Sequence, residues 1–446
     1  MHLTHPHVIL WFLKENNMER PTINISDFIL KTGADEVLAD IRAKLQRPDG
    51  SLPPVSDLIK TEFSPEGVPQ TYEYVNYVQE GGGVLGVALL GYTYILEKMG
   101  IRFYKLAGTS AGAINTMLTA AIDPARYKDI AKKKSDEPLL KSEAVLYELI
   151  NKDLFELVDG APFARKVVRK FLQRKKYISG IVNFLILFIK IFLGATALLG
   201  ILTILNAFVL PAAIWWWIAL VLGIAVTLCI IGIIFMYLKS KTYLRLFVRS
   251  KYGICTGNNF HEWVSNILRF NGVENTDQLE AVLKKNQQEV HLRPERAAEH
   301  NANDTKPVAG SDIILIASDI TNQRKVEFPA MAKYYWDDPA NANPADFVRA
   351  SMAIPIFFEP FIRNVTRPPA TEEEKLILQN IPEDTSPTQP KEVRFVDGGI
   401  LSNFPINVFH NPSIIVARLP TLGVKLEDEE HIVPGDKRSF KETLFT

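Results

Sequence analysis

The most constraining feature of this sequence is an apolar segment in the middle of the chain. It runs for 62 residues from Tyr177 to Leu238, and Lys190 is its single formally charged residue. A helix needs about 20 apolar residues to cross the hydrocarbon core of a bilayer, so the segment has room for two crossings. Asn206 and Pro211 interrupt the pattern near its middle. The sequence therefore predicts a two-helix transmembrane hairpin within residues 177–238, with helices at about 181–205 and about 214–238.

Charged residues around the hairpin predict its orientation. Both flanks are basic, whereas the turn between the two helices carries no charge. The positive-inside rule therefore places both ends of the hairpin in the cytoplasm. Lys190 would have to snorkel to the interface, or the first crossing would begin after it. The alternative is a pair of buried helices in a soluble protein, which two adjacent apolar stretches of this length do not favour.

Composition excludes several classes of protein. The chain of 446 residues has 50 Lys and Arg against 50 Asp and Glu, so it lacks the basic surplus of a nucleic-acid-binding protein. Its two cysteines, Cys229 and Cys255, exclude a disulfide framework and a cysteine-built zinc site, and we expect neither a metal nor a cofactor. We predict an accessory helical segment at residues 1–70, including a helix at Ala34–Gln46, followed by a main domain at residues 71–446.

The start of the main domain alternates between strand and helix patterns. Strands are predicted at Tyr74–Val78 and Arg102–Ala107, with a helix at Val84–Met99 between them. This order predicts an α/β fold with a mainly parallel sheet covered by helices. The intervening glycines also match a dinucleotide-binding pattern, G-x-G-x-x-G. That function needs a carboxylate at the end of the next strand to hold the ribose, and the strand ends at Gly108 without one.

A G-x-S-x-G motif follows the second predicted strand. Small residues at Gly108, Ala111 and Gly112 permit a tight turn between strand and helix that exposes the Ser110 hydroxyl in a cleft. The helix beginning near Ala111 directs free N–H groups and its positive dipole end toward the same place. These features favour a nucleophilic serine. The alternative is an N-cap serine in a glycine turn.

A second candidate residue is the aspartate of an Asp-Gly-Gly sequence near the carboxyl end of the chain. Asp397 follows a β-prone run at residues 393–396, and Gly398 and Gly399 come directly after it. The ends of strands are where α/β sheets carry their functional residues. An ordinary turn aspartate explains the same pattern equally well.

The three glycine motifs occur in a definite order along the chain, at residues 81–86, 108–112 and 397–399. In this order they resemble the motifs of the patatin-like phospholipases. The stretches at 253–257, 317–321 and 350–355 also resemble segments of that family, and the likeness extends from about Tyr74 to Ala417 apart from the hairpin. The resemblance implies a three-layer patatin-like α/β fold.

The same resemblance implies a role for each motif. Ser110 is implied to be the nucleophile and Asp397 its partner in a Ser–Asp dyad, and no histidine of the chain lies in a motif that would position it. The backbone N–H groups of Gly81, Gly82 and Gly83 are implied to form an oxyanion hole, since glycine allows close approach to an oxyanion. The glycines that would support the elbow and the loops are Gly86, Gly108, Gly112, Gly398 and Gly399.

The chain departs from the family in two respects. Leu85 stands where many members carry Arg or Lys, and the hairpin is an insertion not typical of the family. We therefore expect an integral membrane serine acyl hydrolase whose catalytic domain faces the cytoplasm. Membrane phospholipids or lysophospholipids would serve it as both substrate and anchor. The alternatives are a catalytically silent lipid-binding or scaffolding protein of the same fold, or an acyltransferase or protease that uses the same nucleophile.

Overall fold

The computed structural model describes residues 24–63, 67–83, 86–131, 137–160, 252–297, 312–366, 369, 371–379, 391–412 and 418–426, with seven single positions between 190 and 238. The chain divides into two compact units. One unit comprises residues 23–151, 261–353 and 361–446 and contains the residues predicted for the site. The other comprises residues 1–22, 152–260 and 354–360.

The helices and strands are named in chain order. The α-helices are α1 (Ile25–Thr32), α2 (Ala34–Leu45), α3 (Gly86–Lys98), α4 (Ala111–Ala121), α5 (Lys141–Ile150), α6 (Asn258–Phe270), α7 (Thr276–Gln287), α8 (Pro294–Ala297), α9 (Pro344–Ser351), α10 (Glu372–Ile377) and α11 (Gly399–Ser402). The strands are β1 (Leu58–Phe63), β2 (Pro69–Gln79), β3 (Ile101–Thr109), β4 (Gly253–Cys255), β5 (His291–Leu292), β6 (Ile313–Asp319), β7 (Arg324–Phe328), β8 (Ile356–Phe358), β9 (Phe361–Val365), β10 (Lys391–Asp397) and β11 (Thr421–Val424).

The larger unit is built on one mixed sheet with strand order β5-β1-β2-β3-β6-β10-β9. Strand β2 pairs in parallel with β3 and β11, and β3 pairs in parallel with β6. The strands outside this centre pair antiparallel, as do β6 and β7. The predicted α/β fold is confirmed, and the predicted mainly parallel sheet is found at the centre. The flanking strands are antiparallel, which the local patterns do not reveal.

The centre of the sheet is buried because its strands carry apolar side chains on both faces. Every residue of β6 is buried, which is typical of a strand covered on both sides. A hydrophobic cluster of Val78, Ala107, Ile314, Ile316 and Phe409 joins the three central strands to the chain after α11. Helix α4 is also almost completely buried, since its residues are small enough to pack closely on the sheet. The core therefore lies directly beneath the loop that ends β3.

The segment at residues 1–70 contains the helix predicted from its amphipathic pattern. The helix was predicted at Ala34–Gln46 and is found as α2, at Ala34–Leu45. A side-chain hydrogen bond from Tyr94 to Asp35 (2.9 Å) joins α2 to α3 of the main domain. The same segment also contributes β1, which pairs antiparallel with β2. This strand was not predicted, because its pairing partner decides its conformation.

In the smaller unit, the structure describes the residues just before and just after the interval 161–251. The carboxylate of Asp159, before the interval, bonds to residues that follow it. Asp159 accepts hydrogen bonds from the Thr256 hydroxyl (2.6 Å) and from the N–H groups of Gly257 (2.7 Å) and Asn259 (3.0 Å). Burial by itself would raise the pKa of Asp159, but these hydrogen bonds outweigh it and lower the pKa. Strands β4 and β8 of the same unit pair in parallel.

The predicted transmembrane hairpin lies outside the described residues except for seven single positions. All seven have helical backbone: Lys190, Gly194, Ile201, Trp217, Gly223, Thr227 and Leu238. Among the described residues, no helix has both the length and the apolar character needed to cross a membrane. The hairpin and its orientation therefore stay predictions.

Candidate active site

Ser110 lies at the sharp turn between β3 and α4, as its motif predicts. Its backbone has φ 53° and ψ −117°, a conformation that is costly for a residue with a Cβ atom. Ser110 is only 4 % exposed, so the predicted turn is found but the predicted exposure of its hydroxyl in a cleft is not. Such strain persists where surrounding contacts impose it, and it is typical of functional turns. Because of this conformation, Ser110 belongs neither to β3 nor to α4, and its side chain follows neither the alternation of the strand nor the periodicity of the helix.

The contact that holds this turn comes from α9. The Ser110 N–H donates to the Ser351 hydroxyl (3.0 Å), which in turn donates to the carbonyl of Ile316 in β6 (2.5 Å). Ser351 is completely buried, so both bonds are shielded from water. No sequence motif predicts a role for Ser351. Its position in a stretch that resembles the family was the only signal, and that stretch does not specify a partner.

Asp397 lies in the same place, at the end of β10, and is 7 % exposed. Its Oδ1 accepts the Gly399 N–H (2.7 Å), whereas its buried Oδ2 has no hydrogen-bond partner among the described residues. Burial raises the pKa of Asp397, opposed by the Ser110 hydroxyl and then by the Gly399 N–H. No hydrogen bond of normal geometry joins the Ser110 hydroxyl to Asp397 Oδ2, although the hydroxyl lowers the pKa of the carboxyl. Loose contacts of this kind are common in the absence of substrate.

The strand pairing that brings Asp397 close to Ser110 differs from the predicted pairing. The sequence predicts Asp397 at the carboxyl edge of a parallel sheet, but β10 runs antiparallel to β6. Sheet register brings the residues together, because Thr109 pairs with Ile316 and Asp397 pairs with Ala317 of the same strand. The ends of β3 and β10 therefore lie at one level on either side of β6. A backbone bond from the Asp397 N–H to Ala353 (2.9 Å) adds a second link to the chain after α9.

The glycine loop at residues 81–83 lies next to Ser110, since a Cβ added at Gly81 would come within 3.1 Å of the Ser110 Cβ. The three N–H groups of the loop are not equivalent. The Gly81 N–H donates to the carbonyl of Asn403 (3.0 Å) and is therefore occupied. Gly82 and Gly83 form no hydrogen bond through their N–H groups within the described part of the chain. Gly83 has φ 54°, in the left-handed region that glycine adopts without strain. The structure thus leaves two of the three predicted donors for an oxyanion.

Asn403 holds the loop from the other side of the site. Its side-chain Nδ2 donates to the Gly81 carbonyl (3.0 Å) and to the Glu80 carboxylate (3.2 Å). Together with the bond to its own carbonyl, Asn403 holds both polar groups of the Gly81 backbone. The Thr109 hydroxyl donates to the carbonyl of the neighbouring Ser402 (3.0 Å), which links α11 to the Ser110 turn. No sequence motif marks Asn403 as a functional residue.

The remaining predicted glycines lie around the same turn, where chains approach closely. At Gly112 an added Cβ would collide with the carbonyl of Gln79, so glycine lets α4 begin directly against the end of β2. An added Cβ would likewise meet a neighbour within 3 Å at the other predicted positions, which are Gly86, Gly108, Gly398 and Gly399. Leu85 lies outside the described residues.

None of the three described histidines hydrogen-bonds to Ser110. His261 pairs with Asp346 through Nε2 (2.7 Å), and the ring of His291 bonds to the carbonyl of Glu289 (2.9 Å). His410 has no side-chain hydrogen bond within the described part of the chain. Ser110 instead contacts groups on α9 and β10. The arrangement is compatible with a dyad.

A serine held at a strained strand-to-helix turn beside a buried carboxylate, on a mixed α/β fold, is an arrangement typical of serine hydrolases. The profile of the patatin-like phospholipase family matches residues 78–410, which is most of the chain. The chain belongs to the patatin-like phospholipase family, whose membership implies a lipid acyl hydrolase.

Two individual proteins show similarity to the chain. An uncharacterized protein of Bacillus subtilis (strain 168), YqhO, is 25% identical over 361 residues, which cover 81% of this chain and 74% of that protein. The crystal structure of VipD from Legionella pneumophila aligns with 84% of this chain at 13% identity and a TM-score of 0.27. This chain spans 54% of VipD, about half its length.

Proposed function

We propose that this protein is a membrane-anchored serine acyl hydrolase that cleaves the ester bonds of phospholipids or lysophospholipids. Ser110 serves as the nucleophile and Asp397 as the base. The observation that carries the proposal is the buried Oδ2 of Asp397, which has no hydrogen-bond partner in the described residues although the Ser110 hydroxyl acts on its carboxyl. A buried carboxylate oxygen without a partner is costly unless a proton donor approaches it. The serine hydroxyl is the donor that the proposed chemistry requires.

The proposed reaction follows from these positions. The Asp397 carboxylate takes the Ser110 proton while Oγ attacks the ester carbonyl, and the N–H groups of Gly82 and Gly83 stabilise the resulting oxyanion. Collapse releases the alcohol with the proton from Asp397 and leaves an acyl-serine. Water then attacks this ester and gives one proton to Asp397. Collapse of the second intermediate releases the free acid, and Asp397 returns the proton to Ser110 Oγ. Because burial raises the pKa of Asp397, it is a stronger base than an exposed carboxylate.

Asn403 is expected to set the rate of this reaction by positioning the glycine loop. Replacing Asn403 with Ala removes the bonds to the Gly81 carbonyl and to Glu80. We expect kcat to fall roughly 10-fold to 100-fold with little change in KM, since the oxyanion forms only in the transition state. Steady-state kinetics on a soluble ester measure both constants. The exposed Asn407, four residues further along, is the matched control, and an equal loss in Asn407→Ala would contradict the positioning role.

Membrane anchoring by the hairpin is supported by the side chains at its described positions. Ile201, Trp217 and Leu238 have helical backbone and are 56%, 70% and 56% exposed, which is unfavourable for large apolar groups in water. The Asp159 contacts add a second argument, because they hold residues 256–259 beside the point where the chain enters the interval. An insertion whose two ends are held together can enter and leave a bilayer from one side.

Analysis of lipid products tests the proposed substrate class. The purified full-length protein is incubated with vesicles of mixed phospholipids and lysophospholipids, and fatty acids, lysolipids and new acyl esters are quantified by mass spectrometry. We expect free fatty acid to appear with the matching deacylated lipid, and Ser110→Ala to abolish both products. New acyl esters in place of free acid would indicate an acyltransferase. Lipid binding without any product would indicate the catalytically silent alternative.

A further inference from the structure

A cavity of about 290 Å³ lies away from Ser110, within the larger unit. Residues of β1, β2, β3, α4, α5 and α7 contribute to its lining, which includes the start of β3 at Arg102–Tyr104 and the end of α4 at Thr119 and Ala120. Thr119 is eight residues beyond Ala111, which corresponds to about 12 Å along the helix axis. The cavity therefore lies at the opposite end of α4 from Ser110 and is a separate site.

The lining carries more positive than negative charge. Its cationic residues are Lys60, Arg102, Lys141 and Lys285, and its acidic residues are Glu62 and Glu97. Lys60 forms ion pairs with Glu62 (3.5 Å) and Glu289 (3.4 Å). Within the described part of the chain, Arg102, Lys141 and Lys285 form no ion pair. The cavity thus presents three cations that have no carboxylate in direct contact.

Lys141 is the cation held most closely by its surroundings. Its Nζ donates to the carbonyls of Thr119 (3.0 Å) and Ala120 (3.3 Å), in the last turn of α4, where the helix dipole favours a positive charge. An ammonium group has three donors, and the third has no partner among the described residues. Burial lowers the pKa of Lys141 to about 8, against an opposing effect of Glu97. The charge at Lys141 is therefore incompletely compensated.

Thr119 provides an independent indication of a ligand. Thr119 is one of the lining residues and is 1 % exposed, and its buried hydroxyl has no hydrogen-bond partner in the described residues. Buried hydroxyls are normally bonded, so an unpartnered one beside an uncompensated ammonium group points to an acceptor that is absent from the protein itself. Apolar side chains complete the lining nearby, among them Phe103, Leu106, Leu140 and Leu283.

We propose that this cavity binds a small organic anion, with its carboxylate or phosphate head group between Lys141, Thr119 and Arg102 and a short apolar body against the neighbouring leucines. The volume lies at the lower end of the range for small-molecule sites, so the ligand is small. The ammonium and the guanidinium supply the charge that recognises the head group, and the Thr119 hydroxyl supplies a further donor. This inference does not depend on the proposed hydrolase activity.

Titration calorimetry on the full-length protein in detergent tests the inference, with detergent alone as the blank. The probes are hexanoate and hexyl phosphate, which share an apolar body and differ in head group, and hexanol, which lacks the charge. We expect at least one of the two anions to bind about tenfold more tightly than hexanol. Which anion binds more tightly identifies the class of head group.

Variants locate the binding site. We expect Lys141→Met to weaken anion binding at least about tenfold and Thr119→Val, which preserves shape, to weaken it about threefold. The exposed Lys128, outside the lining, is the matched control, and Lys128→Met should bind as the unaltered protein does. Loss of binding in Ser110→Ala but not in Thr119→Val would place the anion in the hydrolase site and overturn the inference. Equal affinity for hexanol, or no anion binding below about 5 mM, would also overturn it.

Discussion

Replacing Ser110 with Ala or Asp397 with Asn is expected to lower ester hydrolysis by about 10³-fold or more. The double variant should be no worse than either single variant, because a nucleophile and its base act as one unit. Asp397→Asn keeps the size of the side chain and its Oδ1 acceptor for the Gly399 N–H, so it removes the basic charge with little change in packing. Turnover of a soluble ester measures the loss, and thermal unfolding shows whether each variant is folded.

A matched variant separates the dyad from a triad. His261 forms a close pair with Asp346, the arrangement that a triad histidine would need. We expect His261→Gln to keep at least about a tenth of the activity, whereas loss of a triad histidine costs several orders of magnitude. If the His261→Gln variant folds but is inactive, the proposed Ser110–Asp397 dyad is wrong. A fluorophosphonate probe should label Ser110 alone, and turnover in Ser110→Ala would remove the proposed role of this serine.

Removal of the hairpin is expected to separate hydrolysis of soluble esters from hydrolysis of bilayer lipids. In the variant, a short Gly/Ser linker joins Lys176 to Lys239. The Asp159 bonds to Thr256 and Gly257 lie outside the deleted residues, so the ends of the interval stay together. We expect a soluble protein that hydrolyses a short-chain ester at close to the original rate. It should lose most activity on vesicles, because two crossings hold a protein in a membrane far more strongly than reversible surface binding does.

The control replaces the hairpin with an unrelated pair of transmembrane helices of the same length. This protein should regain its activity on vesicles, since anchoring and not the hairpin sequence is what the prediction requires. Loss of soluble-ester hydrolysis in a folded linker variant would show that the helices shape the active site. Resistance of the linker variant to extraction from membranes by carbonate would show that the anchor lies elsewhere.

Local patterns predicted the elements that carry the candidate site. The predicted strand Tyr74–Val78 is found within β2 (Pro69–Gln79), and Arg102–Ala107 is found within β3 (Ile101–Thr109). The predicted helix Val84–Met99 corresponds to α3 (Gly86–Lys98). Apolar periodicity and glycine breaks determine secondary structure over a few consecutive residues, so a single sequence is enough to recognise them. The antiparallel pairing of β10 with β6 could not be predicted, because the same strand residues are compatible with parallel and with antiparallel pairing.

Local sequence patterns did not predict the residues whose hydrogen bonds hold the site together. Ser351 bonds to the Ser110 N–H across 241 residues of sequence, and Asn403 bonds to the Gly81 carbonyl across 322. Neither residue type is distinctive, because serine and asparagine are common in loops and helix ends. Their importance comes from the partner that the fold brings within hydrogen-bond distance.

Sequence alone determined which chemical groups are present: a serine in a glycine turn, an aspartate before two glycines, a glycine loop and a long apolar segment. These assignments were possible because steric limits at a turn and the thickness of a bilayer are conditions on consecutive residues. Tertiary structure alone decided that the Gly81 N–H is occupied and that Asp397 Oδ2 is buried without a partner. Hydrogen bonding and burial depend on what surrounds a group in space, and strands distant in sequence supply those surroundings here.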